Sequence, residues 1–233
     1  MTNRQVVQHL LTNEPKDAQA RYYALHHPDN RTTVMTAPAD SLRPTSYICL
    51  SRTGYDLFSP LVTMRLPDDL NVGYGLLKEA IQPGQSVIFS TPPAYTPLIG
   101  ALFDVESEQE MKTLVMDSGR YEPTINIYVV KSAGANGLPR AVIRKDGRLA
   151  AGAGINWQTD KFAEINVEVD GIQRRQGYGK SVVAALCSWI MDGGRKPIYV
   201  VAADNAASIS LAEEVGFVDL GIRTHFMRAT MRG

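Results

Sequence analysis

Two carboxylates precede a basic, glycine-containing loop in the second half of the chain. Glu164 and Glu168 belong to the run FAEINVEV, whose alternation predicts a strand with both carboxylates on one face. The next loop contains RRQGYGK at residues 174–180. A carboxylate can act as a general base, and a basic loop that opens a helix can hold phosphate. We therefore expect the loop to bind a phosphate-bearing ligand.

The helix predicted after this loop strengthens the expectation of phosphate binding. Apolar residues recur at helical spacing between Gly179 and Asp192. The first N–H groups of a helix lack internal partners, and its dipole attracts anions. Two common phosphate motifs do not fit, because a P-loop needs glycine where Arg174 stands and a Rossmann fingerprint needs glycine where Val182 stands.

A third phosphate-binding motif does fit. R-x-x-G-x-G at residues 174–179 has the R/Q-x-x-G-x-G/A form of the coenzyme A pyrophosphate loop in the GNAT acyltransferase superfamily. The context is also similar, since a β-meander precedes the loop and N-x-x-S-x-x-L follows at residues 205–211. Residues 124–230 thus resemble this superfamily. The runs AEINVEVDGIQRRQGYGKSVVAAL and GGRKPIYVVAADNAASISLAEEVGF resemble its FR47-like branch.

The resemblance implies direct attack of a primary amine, on a small molecule or peptide, on the thioester of acetyl-CoA. It also implies that the strands at 162–169 and 198–203 splay apart and admit the pantetheine arm. An N–H near Val167 would then polarise the thioester carbonyl. The residues expected to bind coenzyme A are Val167, Val169, Arg174, Arg175, Gln176, Gly177, Tyr178, Gly179, Lys180, Asn205 and Ser208.

The catalytic assignments also follow from the resemblance. Glu164 is the candidate base and Glu168 the second candidate. Many relatives carry a tyrosine acid where this chain has Ala212. Three hydroxyl groups are alternative proton donors: Tyr178, Tyr199 and Ser208. Ala212 therefore keeps a non-catalytic alternative open, an acyl-CoA-binding sensor or pseudo-enzyme. Transfer to a protein or to a tRNA-linked amine is a third alternative.

The predicted fold class is α/β, with an α+β mixed sheet. Residues 123–233 are expected to form the GNAT acyltransferase domain with splayed parallel strands. Residues 1–122 are expected to form an N-terminal α/β domain, whose element order suggests a degenerate GNAT-like unit. The predicted elements near the site are strands at 124–130, 141–145, 148–157, 162–169 and 198–203, helices at 179–192 and 206–215, final strands at 217–221 and 224–230, and a loop at 131–139.

Composition restricts the partners. The chain has 233 residues with 24 basic and 24 acidic side chains, so no nucleic acid or membrane surface is expected. Cys49 and Cys187 lie in apolar runs and are expected to be buried free thiols. No leader-like or membrane-length apolar run is found, which predicts a cytoplasmic protein. No metal is expected, because His26, His27 and Asp29 match no ligand spacing. The oligomeric state stays open, a dimer included.

Overall fold

The structure is a computed structural model that describes residues 2–67 and 69–233, with only the backbone of residue 70. It divides into two compact units. Unit 1 comprises the chain up to Met111 together with Arg223–Gly233, and unit 2 comprises Lys112–Ile222. Both units are mixed α/β, which confirms the predicted fold class.

Unit 1 is built on a mixed sheet. Its strands β1, β2 and β3 form an antiparallel meander, β3 pairs with β4 in parallel, and β4 pairs with the end of β11 in antiparallel fashion. The helix α3 connects β3 to β4, and the side chain of Asp69 caps it by accepting the Asn71 N–H. The elements are α1 Asn3–Val6, α2 Ala18–Arg21, β1 Thr32–Ala37, β2 Ser46–Ser51, β3 Leu61–Arg65, α3 Leu70–Ala80, β4 Ser86–Thr91, α4 Thr96–Leu102 and β5 Phe103–Met116.

Unit 2 carries the segment with the candidate site. Its strand order is β11-β5-β10-β9-β8-β7-β6, in which β6 to β9 form an antiparallel meander and β9 pairs with β10 in parallel. The predicted meander of three strands, now β7, β8 and β9, is thus confirmed, and β6 adds a fourth strand to it. The elements are β6 Val130–Ala133, β7 Pro139–Lys145, β8 Arg148–Gln158, β9 Phe162–Val169, α5 Tyr178–Asp192, β10 Lys196–Ala202, α6 Ala206–Val215 and β11 Phe217–Met231.

The helix α5 covers one face of this meander. Its apolar side chains Val182, Val183 and Leu186 are fully buried against the alanine-rich strand β8. Two glycines end the helix, with Gly194 in the left-handed conformation at φ +75°. The opposite face of β8 and β9 is polar. The predicted alternation along β9 therefore separates a core face from a functional face.

Two predicted elements are wrong in unit 2. Residues 124–129 are not a strand; β6 begins at Val130. Asn126 diverts this chain, because its Oδ1 accepts the Tyr128 N–H at 3.0 Å and its carbonyl accepts the Val129 N–H at 3.0 Å. The predicted loop at 131–139 is instead the tight hairpin between β6 and β7, closed by a bond from the Gly134 N–H to the Leu138 carbonyl.

The division of the chain also differs from the predicted boundary after residue 122. The two final strands predicted at 217–221 and 224–230 are one strand, β11. Its residues His225–Thr230 pair with β4, so the contacts assign residues 223–233 to unit 1. The sequence could not show this, because pairing between strands distant in sequence leaves no local pattern.

Candidate active site

The parallel strands β9 and β10 part where the splay was expected. Their register runs from Phe162 opposite Lys196 to Ile165 opposite Tyr199 and then stops. Both strands continue, β9 to Val169 and β10 to Ala202. Beyond Ile165, the main chain of β9 on this side has no paired strand among the described residues, while Val167 and Val169 stay half-buried against the core. An extended ligand that carries amide groups can bind in such an opening, through hydrogen bonds to the strand main chain like those between neighbouring strands.

The loop after β9 exposes a set of main-chain donors. Arg175 and Gly177 adopt the left-handed conformation, with φ values of +60° and +75°. The main-chain N–H groups of residues 174–180 donate to no acceptor within the described residues. A left-handed arginine costs free energy, and such strain is frequent at ligand sites. The loop and the first turn of α5 thus present unpaired N–H groups to an anion.

The charged side chains of the loop differ in their surroundings. Arg174, Arg175 and Gln176 are exposed, and neither arginine has a carboxylate partner among the described residues. Lys180 forms an ion pair with Glu214 at 3.7 Å. Both partners of that pair are largely solvated, so it holds Lys180 only weakly. The two arginines are therefore the cations most available to a phosphate.

The two motif glycines serve different purposes. Gly177 has open space around its Cβ position, and its positive φ explains the glycine. Gly179 is buried, and a Cβ there would lie 2.8 Å from Leu211 Cδ1 and 3.1 Å from Val169 Cγ2. Gly179 thus lets α5 approach both β9 and α6 closely. Tyr178 begins α5 and packs partly against the core.

Ser181 fixes the start of α5 to the loop. Its Oγ donates to the Gly177 carbonyl at 3.0 Å, and the same Oγ accepts from Asn126 Nδ2 at 3.0 Å. Asn126 belongs to the segment that was predicted as a strand. Its turn conformation therefore brings a side chain to the loop that no sequence motif marks.

Glu164 is a buried carboxyl group on β9. Its side chain is 5% exposed, and burial raises its pKa to about 7. Hydrogen bonds from Asn156 and Trp157 act in the opposite direction and lower that pKa. The Asn156 Nδ2 lies 3.3 Å from Glu164 Oε1. A carboxyl with this pKa can accept a proton near neutral pH, as a general base must.

Unit 2 thus contains a pair of parallel strands that part, a loop with unpaired N–H donors and a buried carboxyl group. The model of the acetyltransferase (GNAT) family matches residues 107–217. These residues form a GNAT acetyltransferase domain.

Similar proteins agree with this membership. Ribosomal protein bS18-alanine N-acetyltransferase from Escherichia coli K12 is 30% identical over 89 residues, which are 38% of this chain and 60% of that protein. The chain thus spans about 60% of the length of the curated relatives it matches.

Two solved structures share the fold over most of the chain. A GCN5-related N-acetyltransferase from Kribbella flavida has a TM-score of 0.64 at 15% identity, covering 94% of this chain and 95% of its own. A Drosophila protein has a TM-score of 0.68 at 13% identity, covering 98% and 86%. The likeness of fold extends into the N-terminal half.

The second candidate base lies on the polar face of the GNAT domain. Glu168 is exposed and forms an ion pair with Arg140 of β7. The Arg140 side chain crosses β8 at Gly152, where a Cβ would lie 2.9 Å from its Nη2. On the same face, Asn166 donates to the Asn156 Oδ1. Sequence reasoning missed Arg140 and Asn156, because neither lies in a motif.

One hydroxyl group from β10 and one from the start of α6 lie together in the GNAT domain. Asn205 caps this helix, with its Oδ1 accepting the Ser208 N–H at 3.1 Å. The Ser208 Oγ lies 2.6 Å from the Tyr199 hydroxyl, and Tyr199 is the last residue of β10 that pairs with β9. Burial raises the pKa of Tyr199, and the bond to Ser208 lowers it. Ala212 is fully buried one turn later.

The described residues contain no group of three or more His, Cys, Asp or Glu side chains arranged to hold a metal ion. In the same part of the chain, no helix combines the length and apolar character needed to cross a bilayer.

Proposed function

We propose that this chain is an acetyl-CoA-dependent N-acetyltransferase that acts on a primary amine of a small molecule or peptide. The observation that carries the proposal is the buried Glu164 carboxyl, with a pKa of about 7, on the strand that parts from β10. A proton acceptor is required because an ammonium group has no lone pair for attack. The coarser conclusion, a GNAT acetyltransferase domain, comes from the family match.

The residues of the loop and of β9 fit the coenzyme. The unpaired N–H groups of residues 174–180 and the charges of Arg174 and Arg175 suit a pyrophosphate. The main chain of Val167–Val169 offers strand-edge groups to the pantetheine amides, and the side chain of Asn205 lies at the start of α6. The bound acetyl thioester supplies the acyl group, so a C–N bond to the amine replaces the C–S bond.

Glu164 takes the proton that the amine loses. Its raised pKa keeps a substantial fraction ionised at neutral pH and makes the ionised form basic enough to accept a proton. The amide of Asn156 orients the carboxylate through the 3.3 Å contact to Oε1. Glu168 is the weaker candidate, because Arg140 holds its carboxylate as an ion pair.

Tyr199 and Ser208 return a proton to the sulfur that leaves. Their hydroxyl groups lie 2.6 Å apart, at the position where β10 ceases to pair with β9. Ser208 can pass a proton to Tyr199 as Tyr199 donates its own, because each hydroxyl both donates and accepts. This pair takes the role of the tyrosine acid that many relatives have at the position of Ala212.

One observation favours a second candidate function, an acyl-CoA sensor without turnover. Ala212 is fully buried and carries no acid, although many relatives have tyrosine there. A sensor would use the same loop and strand edge but release no thiol. The two functions therefore agree on binding and differ on chemistry.

One relative is named as an alanine N-acetyltransferase of a ribosomal protein. A peptide α-amine is therefore the first acceptor that we would test. Some members of the FR47-like branch, which this chain resembles in its second half, also use peptide acceptors. The neutral net charge does not favour a tRNA-linked amine.

Calorimetry with acetyl-CoA, followed by thiol release with a panel of amines, tests the proposal. Arg174→Glu should weaken acetyl-CoA binding at least about tenfold, because it reverses one charge at the phosphates. The matched control is Lys161→Glu, which reverses an exposed charge before the other end of β9. Equal affinity in both variants would refute the loop assignment. Tight binding without thiol release on any amine, an alanine-initiated peptide included, would favour the sensor.

A further inference from the structure

A cavity of about 590 Å³ lies within unit 1. All its lining residues are described, all belong to unit 1, and none is acidic. They are Gln5, Val6, Gln8, His9, Leu11, Thr12, Asn13, Arg21, Leu42 and Arg43. Two arginines and several amide side chains thus face one space without a lining carboxylate.

Arg21 is the unusual member of this lining. It is only 8% exposed, and within the described residues its guanidinium group donates one hydrogen bond, from Nη1 to the Leu11 carbonyl at 3.2 Å. Its Nε is buried and has no hydrogen-bond partner in the part of the chain that the structure describes. A buried charge without a counter-charge is costly, and buried guanidinium groups normally pair with an oxyanion. Arg21 thus brings to the cavity a largely buried positive charge that has no carboxylate partner among the described residues.

The nearest acid along the chain does not supply this acceptor. Asp17 lies one helical turn before Arg21, but its Oδ2 accepts the N–H and the hydroxyl of Thr12 at 2.8 and 2.6 Å. Its Oδ1 accepts from Arg65 Nη2 at 2.8 Å. Both oxygens of Asp17 are thus committed elsewhere.

The other polar groups complete a cationic pocket. Arg43 is exposed at the cavity and has no carboxylate partner in the described part of the chain. The ring nitrogens of His9 lie 2.7 and 2.9 Å from the carbonyls of Val6 and Pro44, so His9 helps to anchor the wall. The amides of Gln8 and Asn13 remain available to polar groups of a ligand.

We propose that this cavity binds a small molecule through an oxyanion group, a carboxylate or a phosphate, held by Arg21 and Arg43. Guanidinium groups bind either oxyanion through short, charge-assisted hydrogen bonds. The site does not depend on acyl transfer or on the coenzyme A loop, because every lining residue belongs to unit 1. The ligand contacts the side of the Arg21 guanidinium group that lines the cavity.

NMR of the arginine side chains tests this site directly. Inorganic phosphate and succinate are titrated separately into the full chain, and the Nε–Hε signal of Arg21 is followed. We expect a saturable shift of this signal with at least one of the two probes, with a Kd of about 1 mM or tighter. The probe that binds more tightly distinguishes a phosphate ligand from a carboxylate ligand.

Two exposed arginines provide the variant and its control. Arg43→Gln removes one cation of the cavity, and Arg52→Gln removes an exposed cation that does not line it. Binding should weaken at least about tenfold in Arg43→Gln and stay unchanged in Arg52→Gln. The proposal is wrong if neither probe gives a saturable shift, if both variants respond alike, or if sodium chloride at equal ionic strength gives the same shift.

Discussion

Replacing Glu164 by Gln tests both the burial of this carboxyl and its role as base. The folded protein holds the Glu164 proton up to a pKa of about 7, whereas the ordinary value is 4.5. Between these values the folded state binds more protons than the unfolded state. Stability from this group is therefore full below pH 4.5 and is lost as pH rises to 7.

The size of this effect follows from the two pKa values. A tenfold change in proton affinity corresponds to about 1.4 kcal/mol, so the interval from 4.5 to about 7 gives about 3 kcal/mol. Glutamine resembles the protonated carboxyl, keeps an oxygen for the Asn156 amide and does not titrate. The free energy of unfolding of the wild type minus that of Glu164→Gln should fall by about 3 kcal/mol across this window.

The measurements are urea unfolding at a series of pH values and the pH profile of acetyl transfer. Transfer by the wild type should rise through pH 7, and Glu164→Gln should lose about 10²-fold or more in rate together with that rise. Glu168→Gln is the control and should change stability by less than about 1 kcal/mol, because its ion pair is exposed. A stability difference that stays constant with pH would refute the burial, and an unchanged rate profile would refute the base.

Three further predictions concern the packing of Gly179, the hydroxyl group of Tyr199 and the thiol of Cys187. Gly179→Ala should lower the free energy of unfolding by about 1–3 kcal/mol, because the added Cβ would lie closer than 3.2 Å to two neighbouring side chains. Gly75→Ala is the control, since Gly75 lies on α3 with open space around its Cβ position, and it should raise this free energy by about 0.5–1 kcal/mol. Both changes are measured by urea unfolding. Tyr199→Phe should lower kcat about 10²-fold, because it removes the hydroxyl group proposed as proton donor, and should leave acetyl-CoA affinity unchanged. The control Tyr178→Phe should change neither quantity. Steady-state assays measure kcat and calorimetry measures the affinity. The buried thiol of Cys187, whose pKa is raised by burial, should resist Ellman's reagent until the protein unfolds; rapid labelling of the native protein would contradict its burial.

Local patterns predicted much of unit 2. The Asp146-Gly147 turn, the alternation along β9 and the glycines after α5 each act over a few residues, so the meander and the helix followed from the sequence. The apolar pattern of residues 124–129 predicted a strand that does not form, because the side chain of Asn126 bonds to the local main chain instead.

The environment of the candidate base could not be predicted. An irregularity between Ile155 and Trp157 shifts the register of β8 against β9 and places Asn156 beside Glu164. The bond between Tyr199 and Ser208 likewise depends on how β10 and α6 pack. Such contacts are set by tertiary structure, whereas Glu164 and the loop could be proposed as site residues from the sequence alone.

The contacts of Ser181 have a thermodynamic consequence for ligand binding. Because Asn126 and Gly177 already hold the first turn of α5, the loop is pre-organised before any ligand arrives. A pre-organised loop loses little conformational entropy on binding, so more of the interaction energy appears as affinity. If the loop binds coenzyme A as proposed, Asn126 contributes to that affinity from a position more than fifty residues away in sequence.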